Sequence, residues 1–336
     1  DEPITKNECF LALKSLNQNK TPGTDGLPAE FYLQFWSEIG DLVFESLTEA
    51  IDNKCLSVTQ KRAILKLIYK KGDKTDLSNW RPISLLNTDY KILAMVLSKR
   101  LQTFLPKLIS EDQTAYIKTR FIGQNVRLLQ DVIYYCNYYN LPAAVVWLDF
   151  EKAFDSVSWN FMLRTLDKFG FGPTFISLVK TMYTDIESCI INAGWKSAYF
   201  KLQRGIRQGC PLSALLFNLV VETLAAKIRQ TDTIKGIKVE NEEIKISQVA
   251  DDTTLFLANE EAIRIALKTV NDFCLVAGPK LNVGKCEATW IGSYSDRIDK
   301  PCGINWPQTP IKSLGLYYSR EEKNCESLNW EESLEK

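Results

Sequence analysis

ISQVADDTTLFLA, residues 246–258, sets two adjacent aspartates, Asp251 and Asp252, between two apolar runs. Ile244, Ile246 and Val249 lie on one side, and Leu255, Phe256 and Leu257 on the other. The pattern predicts a hairpin, and Asp and Thr suit its turn because their side chains hydrogen-bond the nearby backbone. Turn chemistry alone can account for both acids. Whether they do more depends on what the rest of the chain brings alongside.

A chain of 336 residues exceeds one comfortable core and predicts two or three lobes. Its 45% apolar and 11% aromatic content is that of a globular protein. No uncharged apolar run is long enough to span a membrane, so no membrane partner is expected. The opening residues, DEPITKNECF, lack both signal-peptide architecture and an initiator Met, which suggests a piece of a longer polypeptide. The nine cysteines, at 9, 55, 136, 189, 210, 274, 286, 302 and 325, form no CxxC pair, so they signal neither a zinc module nor a disulfide framework. There is no histidine. That excludes Ser–His and Cys–His catalysis and leaves any metal site to carboxylates, whose hard oxygens suit Mg²⁺ or Mn²⁺.

The formal net charge of zero conceals a segregation. Residues 54–127 hold 15 Lys and Arg against 5 Asp and Glu, whereas residues 1–53 hold 3 against 10 and residues 321–336 hold 2 against 6. The basic block is either a nucleic-acid footprint or a solvated surface.

Along the chain, TPGTDGLPAEFY (21–32) opens with turn chemistry and continues as a helix through Glu49. AILKLIYKKGD (63–73) reads as a strand entering a basic turn, and SNWRPISLL as its return, so 63–86 resembles a hairpin. Apolar spacing at Ile92, Val96, Leu101 and Leu105 predicts a helix over 89–108, with another over 123–139. LPAAVVWLDF (141–150) is a short apolar run rich in β-branched residues, a buried strand that ends in Asp149. Helices at 158–169 and 173–183, a strand pair over 186–204, and a helix from Ser213 to Arg229 come next. After the hairpin come a helix at 260–277 and strands near 286–292 and 311–318. This order predicts an α+β fold, compatible with helices on one sheet face.

Asp149 is the second unusual acid. At the end of a buried strand a carboxylate needs a partner or water. It either serves as an N-cap for the next segment or faces the turn of the 244–258 hairpin across one sheet. In the second case Asp149 and Asp251 would share one or two divalent cations. Such two-metal sites, about 3.5–4 Å apart, activate a hydroxyl and stabilise a leaving oxygen in phosphoryl transfer. Neighbouring residues of a strand point to opposite faces, so Asp251 takes the ligand role and Asp252 a supporting one.

Several motifs now fall in order: TPGTDGLPAEFY, IYKKGD, NWRPISLLNTDYKIL, DQTAYIKTRFIGQNVRLLQDVI, VVWLDFEKAFDSVSW, QRGIRQGCPLSALLF, QVADDTTLF, AGPKLNVGKCEATWIG and IKSLGLYYS. Together they resemble the reverse-transcriptase domain of a non-LTR (LINE-type) retrotransposon, from residue 21 to 319. The resemblance implies a right-hand polymerase. Fingers and an N-terminal extension would occupy 1–140 and a ferredoxin-like palm 141–320, with 186–208 contributing to the fingers. Residues 321–336 would begin a thumb. It implies RNA-directed DNA synthesis with two Mg²⁺ (or Mn²⁺) ions, an RNA template, a DNA primer and dNTPs, in the cytoplasm and nucleus. It further implies an endonuclease and C-terminal region in the parent polyprotein, neither of which this sequence contains.

By motif position, Asp149 and Asp251 resemble the metal-binding aspartates, Asp252 is their neighbour, and the Phe150 carbonyl completes one metal shell. Phe154 falls on the steric gate against a ribose 2′-OH, or is ordinary core. Gln208 and Gly209 resemble the pair that contacts the incoming nucleotide, although Gly209, Cys210 and Pro211 also read as a plain loop. Lys70, Lys71 and Arg81 resemble the residues that neutralise the triphosphate, Arg81 being suited by its planar, permanently charged fork. The two lysines also read as ordinary turn residues. Lys285 matches the motif proposed to protonate pyrophosphate, with Lys280 competing for that role. IKSLGLYYS (311–319) resembles the primer grip.

Four positions depart from the family pattern. Val249 replaces an aromatic expected beneath the primer terminus, Ala115 and Thr119 replace glycines, and Ala214 replaces a proline. These departures raise a second expectation, a degenerate fold that binds RNA or RNA–DNA hybrid with weak or no catalysis. An RNA-dependent RNA polymerase shares the carboxylate logic, but Phe154 and the motif order disfavour it.

Overall fold

A computed structural model of the chain describes residues 2–192, 194–319, 325 and 327–330. Most of 321–336, expected to begin a thumb, lies outside the described residues. Those described fall into two compact units, one drawn from 1–108 and 154–219 and the other from 109–153 and 220–336.

The second unit is built on a four-stranded antiparallel sheet. Its order is Ile246–Val249, Asp252–Leu257, Ala143–Leu148 and Glu287–Ile291. Thr253 lies opposite Leu148 and Leu257 opposite Ala144, while Glu287 lies opposite Trp147 and Ile291 opposite Ala143. Every residue of Ala143–Leu148 is buried. One face, through Val145 and Trp147, joins Phe256, Ile291 and the apolar side of helix Gly123–Tyr138 (Leu129, Val132, Cys136). Ala144, Val146 and Leu148 on the other face are buried as well. Neither face of the central strand meets water. Its continuous apolar run, with no polar alternation, is the sequence counterpart.

Helix Glu260–Ala277 begins where the Asn259 side chain accepts the Ala262 N–H at 2.9 Å. It ends at Gly278, whose φ of 102° suits a residue without Cβ. Residues 109–120 form an irregular segment bound to the hairpin. Gln248 N–H donates to the Asp112 carbonyl at 2.7 Å, and Thr114 N–H to the Gln248 carbonyl at 3.1 Å. The Arg120 guanidinium holds the carbonyls of Ile109, Ser110 and Gln113. Arg229, in the last turn of helix Ser213–Gln230, pairs with both Asp112 and Glu222. Two largely buried carboxylates thus face one guanidinium. Burial pushes both carboxyls above their ordinary range against the pull of Arg229.

The two positions of this segment where glycine was expected, Ala115 and Thr119, behave differently. Thr119 sits at φ 76°, in the left-handed region, and is exposed. Ala115 stays outside that region, and its neighbour Tyr116 enters it at φ 58°.

The first unit carries a five-stranded sheet. The expected hairpin is present as Arg62–Tyr69 and Trp80–Leu86, with Ala63 opposite Leu86 and Tyr69 opposite Trp80. Glu187–Asn192 then joins Arg62–Tyr69 in parallel, and Trp195–Lys196 and Phe200–Lys201 pair with it. The hairpin and the strand pair, read separately in the sequence, are one sheet. The helix read through Glu49 is two, Ala29–Gln34 and Trp36–Asp52, broken at Phe35. The helix read over 89–108 ends at Gln102, and a separate turn, Leu105–Leu108, contains Pro106, which has no N–H to continue it. A further helix, Lys6–Lys14, carries a capping box of Thr5 and Glu8. Glu8 also pairs with Arg100 at 2.7 Å.

Two consequences for stability can be measured. Thr119→Gly removes a left-handed β-branched residue at an exposed site. It should raise unfolding free energy by about 0.5–1 kcal/mol after glycine's greater chain entropy is subtracted, and chemical denaturation checks this; an unchanged or lower midpoint contradicts it. Asp112 and Glu222 hold their protons more tightly folded than unfolded. Their contribution is therefore full below the ordinary carboxyl pKa and is lost as pH rises through the raised folded values. Glu222→Gln keeps an oxygen for Arg229 and deletes the excess charge. Relative to the parent it should melt higher at about pH 8 than at about pH 4, and a melting difference independent of pH contradicts the buried-charge account.

Candidate active site

The acids of the second unit gather at one end of its sheet. Leu148 is the last paired residue of the central strand and Thr253 is its partner, so Asp149 begins where the ladder stops. On the neighbouring hairpin Val249 pairs with Asp252, leaving Ala250 and Asp251 as a two-residue turn. Asp251 occupies the turn and is half-buried, whereas Asp252 is the first residue of the returning strand and exposed. Ala250 sits at φ 57°, a conformation that alanine seldom adopts.

The backbone of Asp149 is held from the other side by the turn after Lys280–Leu281. Asn282 N–H donates to the Asp149 carbonyl at 2.8 Å, and Asp149 N–H donates to Cys286 Sγ at 3.4 Å. Burial pushes the Cys286 thiol pKa up, with a smaller contribution from the Asp149 charge. Phe150 and Glu151 form a two-residue strand opposite Leu281 and Lys280. Lys280 Nζ lies 3.5 Å from the Glu151 carboxylate. Lys285 closes the 3₁₀ turn Val283–Lys285 and is exposed. The same local unit therefore carries Asp149, Phe150, Asp251, Asp252 and both candidate lysines.

The donor chemistry here fits a hard divalent cation. Two carboxylates and a backbone carbonyl would offer hard oxygen donors, and the Cys286 sulfur beside Asp149 is a buried thiol that accepts a backbone N–H. Among the described residues no three His, Cys, Asp or Glu side chains form a metal-holding cluster. A Mg²⁺-type ion matches that shortage, because it keeps several waters and binds through one or two carboxylates plus substrate phosphates.

Phe154, Gln208, Gly209, Lys70, Lys71 and Arg81 belong to the first unit. Phe154 stacks on Phe217 with centroids 4.1 Å apart and planes 14° from parallel. The backbone beyond it is tied to the loop before the helix: Ile206 N–H donates to the Phe154 carbonyl at 2.7 Å, and Gly205 N–H to the Val157 carbonyl at 2.8 Å. A Cβ on Gly205 would lie 2.5 Å from the Asp155 carbonyl. Gln208 donates through Nε2 to Asp155 Oδ1 at 3.0 Å, and its carbonyl accepts Ser84 N–H at 2.7 Å. Gly209, at φ 107°, would place a Cβ 2.6 Å from the Ser84 carbonyl, so no side chain fits there.

Arg81 projects from the returning strand of the hairpin, and Lys70 and Lys71 begin its turn; all three are exposed. The acids of that turn are occupied by its own backbone. Asp73 accepts Thr75 N–H and Asp76 accepts Ser78 N–H, both at 2.8 Å. The Thr75 hydrogen bond holds the Asp73 carboxyl below the usual range.

Sequence reasoning missed four residues that support these positions. Gln113 and Asn125 bond the hairpin from 109–125, Asp155 holds Gln208, and Arg207 anchors the loop. Arg207 is 3% exposed, and its guanidinium donates to the carbonyls of Lys61 and Glu187 and lies over the Tyr90 ring at 5.5 Å. Only the polar DQT stretch beside apolar segments hinted at Gln113; its target lies 137 residues away.

Among the described residues no helix is long and apolar enough to cross a membrane. Residues 68–318 match the family described as reverse transcriptase (RNA-dependent DNA polymerase). The chain is 36% identical over 325 residues to the transposon TX1 uncharacterized 149 kDa protein of Xenopus laevis, covering 96% of this chain and 25% of that protein. It is 28% identical over 284 residues to a Pol polyprotein from the type-1 retrotransposable element R2 of Popillia japonica, covering 84% of this chain and 39% of that sequence. The chain thus spans between a quarter and two-fifths of these relatives. An apo telomerase structure from Candida tropicalis, truncated from the C-terminal domain, superposes with a TM-score of 0.52 at 12% identity, covering 83% of this chain and 59% of that one. That likeness gives the fold, a right-hand polymerase. With its relatives among non-LTR retrotransposon proteins, the chain belongs to the reverse transcriptase (RNA-dependent DNA polymerase) family.

Proposed function

We propose that the chain extends a DNA 3′ end on an RNA template by nucleotidyl transfer. The observation that carries this reading is the meeting of Asp149, at the end of the buried strand, with the Asp251 turn at the same end of the sheet. In the reaction the primer 3′-OH attacks the α-phosphorus of a dNTP and pyrophosphate leaves. Asp149 and Asp251, with the Phe150 carbonyl, would hold Mg²⁺ or Mn²⁺, two ions whose chemistry there is to acidify the hydroxyl and offset phosphate charge.

This chain's own residues do the positioning. Arg81 and Lys71, with Lys70, bind the triphosphate through exposed cations whose neighbouring acids are engaged by backbone. Gln208 and Gly209 form the floor beside the base, and the missing side chain at 209 leaves their backbone close to the strand. Phe154 stands against the sugar, its ring backed by Phe217. Lys285 donates a proton to the leaving pyrophosphate; Lys280, paired with Glu151, is less available for it. Asp252 supports the ligand turn. Fingers over 1–140 with 186–208, and palm over 141–320, go with this reading, as do work in the cytoplasm and nucleus and partner regions of a longer polyprotein. A second reading, hybrid binding with little catalysis, is favoured by Val249, a half-buried aliphatic residue opposite Asp252.

Primer extension on an RNA template with dNTPs and Mg²⁺ or Mn²⁺ separates the two. Product is expected, with Asp149→Asn and Asp251→Asn each abolishing it while hybrid binding persists. A parent protein no more active than these variants, yet binding hybrid in a salt-sensitive way, establishes the second reading instead. Phe154→Val opens space at the sugar and should admit ribonucleotides, raising their relative kcat/KM by about ten- to a hundredfold, the range a lost steric contact can supply. Undiminished discrimination would move the gate elsewhere.

A further inference from the structure

We infer that Gln113 is a positioning residue whose carboxamide clamps the backbone of Ala250 and so aims Asp251. This rests on the reading of Asp251 as a metal ligand. Gln113 is completely buried. Its Oε1 accepts the Ala250 N–H at 3.0 Å, and its Nε2 donates to the Ala250 carbonyl at 3.2 Å. The same Oε1 accepts Ala115 N–H at 3.0 Å, which fixes the plane of the carboxamide.

Both peptide groups flanking Ala250 are therefore held by one side chain. Two-residue turns interconvert by rotating the peptide between their central residues. Here that peptide joins Ala250 to Asp251, so its rotation would change φ at Asp251 and disturb the backbone that carries its carboxylate. The Nε2 bond to the Ala250 carbonyl opposes that rotation. Ala250 needs such a hold, because at φ 57° it lacks the freedom that glycine would bring.

The clamp has an independent foundation. Asn125 Nδ2 bonds the Ser247 hydroxyl at 2.8 Å and the carbonyls of Gln248 and Asp112 at 3.0 and 3.2 Å. Thr114 donates its hydroxyl to Asn125 Oδ1. Arg120 and Arg229 fasten the segment from behind. On the strand itself, Gln248 Nε2 donates to the Thr253 hydroxyl at 3.1 Å, and that hydroxyl lies 3.3 Å from the Asp251 carbonyl. Removing the Gln113 side chain leaves these bonds in place and frees the turn.

Three variants of the full chain test this: Gln113→Ala, the double variant Gln113→Ala with Ala250→Gly, and Asp251→Asn. Readouts are single-turnover primer extension, KM for dNTP, and Mn²⁺ binding followed by the EPR signal of the free ion. Gln113→Ala should slow extension at saturating dNTP by at least about tenfold, as a small misplacement of a reacting group does. It should weaken Mn²⁺ binding and leave KM for dNTP within about twofold, since uniform nucleotide binding is untouched. In the double variant glycine adopts the left-handed backbone without the clamp, so part of the rate and of the Mn²⁺ affinity returns. A lower melting temperature with parental rate and Mn²⁺ affinity, or a loss that Ala250→Gly does not relieve, overturns the inference and makes Gln113 a fold support. Should Asp251→Asn retain rate and Mn²⁺ affinity, the metal reading falls and this inference with it. An inactive Asp251→Asn beside an unaffected Gln113→Ala sinks the inference alone.

Discussion

A carboxylate cannot sit in the middle of a strand buried on both faces without a partner, because desolvation would neutralise it or unfold the strand. That constraint organises the second unit. The central strand is sealed from Ala143 to Leu148, and its first ionisable residue, Asp149, comes one step past the last paired position. The adjacent hairpin obeys the same rule at its turn. The two acids Asp149 and Asp251 lie together at one end of a dry ladder, with exposed Asp252 beside them.

Confinement creates a second demand. A side chain carried by a two-residue turn moves easily, so precision must come from behind it. The buried side chains of Gln113, Thr114, Asn125, Ser247, Gln248 and Thr253 form a polar layer beneath the turn. Polar layers of this kind cost desolvation energy and hold geometry in exchange, since each missing partner leaves an unsatisfied group. The Asp112, Glu222 and Arg229 cluster extends the layer with formal charges, two negative against one positive.

Much of this was legible in the sequence. The apolar run ending in Asp149, the hairpin around Asp251, and the helix after Ser213 follow from periodicity and turn chemistry, which act over a few residues. The parallel pairing of Arg62–Tyr69 with Glu187–Asn192 was not, because nothing in either strand encodes a partner more than a hundred residues away. The break at Phe35 escaped for a different reason: no Gly or Pro marks it, and packing of Phe31 against Phe35, centroids 5.1 Å apart, accompanies the kink. Gln113 was invisible as anything but a polar residue beside an aspartate. Its importance lies in two hydrogen bonds across 137 positions.

The close approach at Gly209 has a mechanical consequence. Ser84 donates to the Gln208 carbonyl, and the space that a side chain at 209 would need is filled by the Ser84 carbonyl. Hairpin and loop are thus joined at a point with no slack, much as a beam is pinned to a bracket. Arg81 stands three residues from that joint and Lys71 at the free tip of the same hairpin. A tilt of the tip would be levered into Gln208, so the positions of these cations and of Gln208 are tied through this backbone fastening.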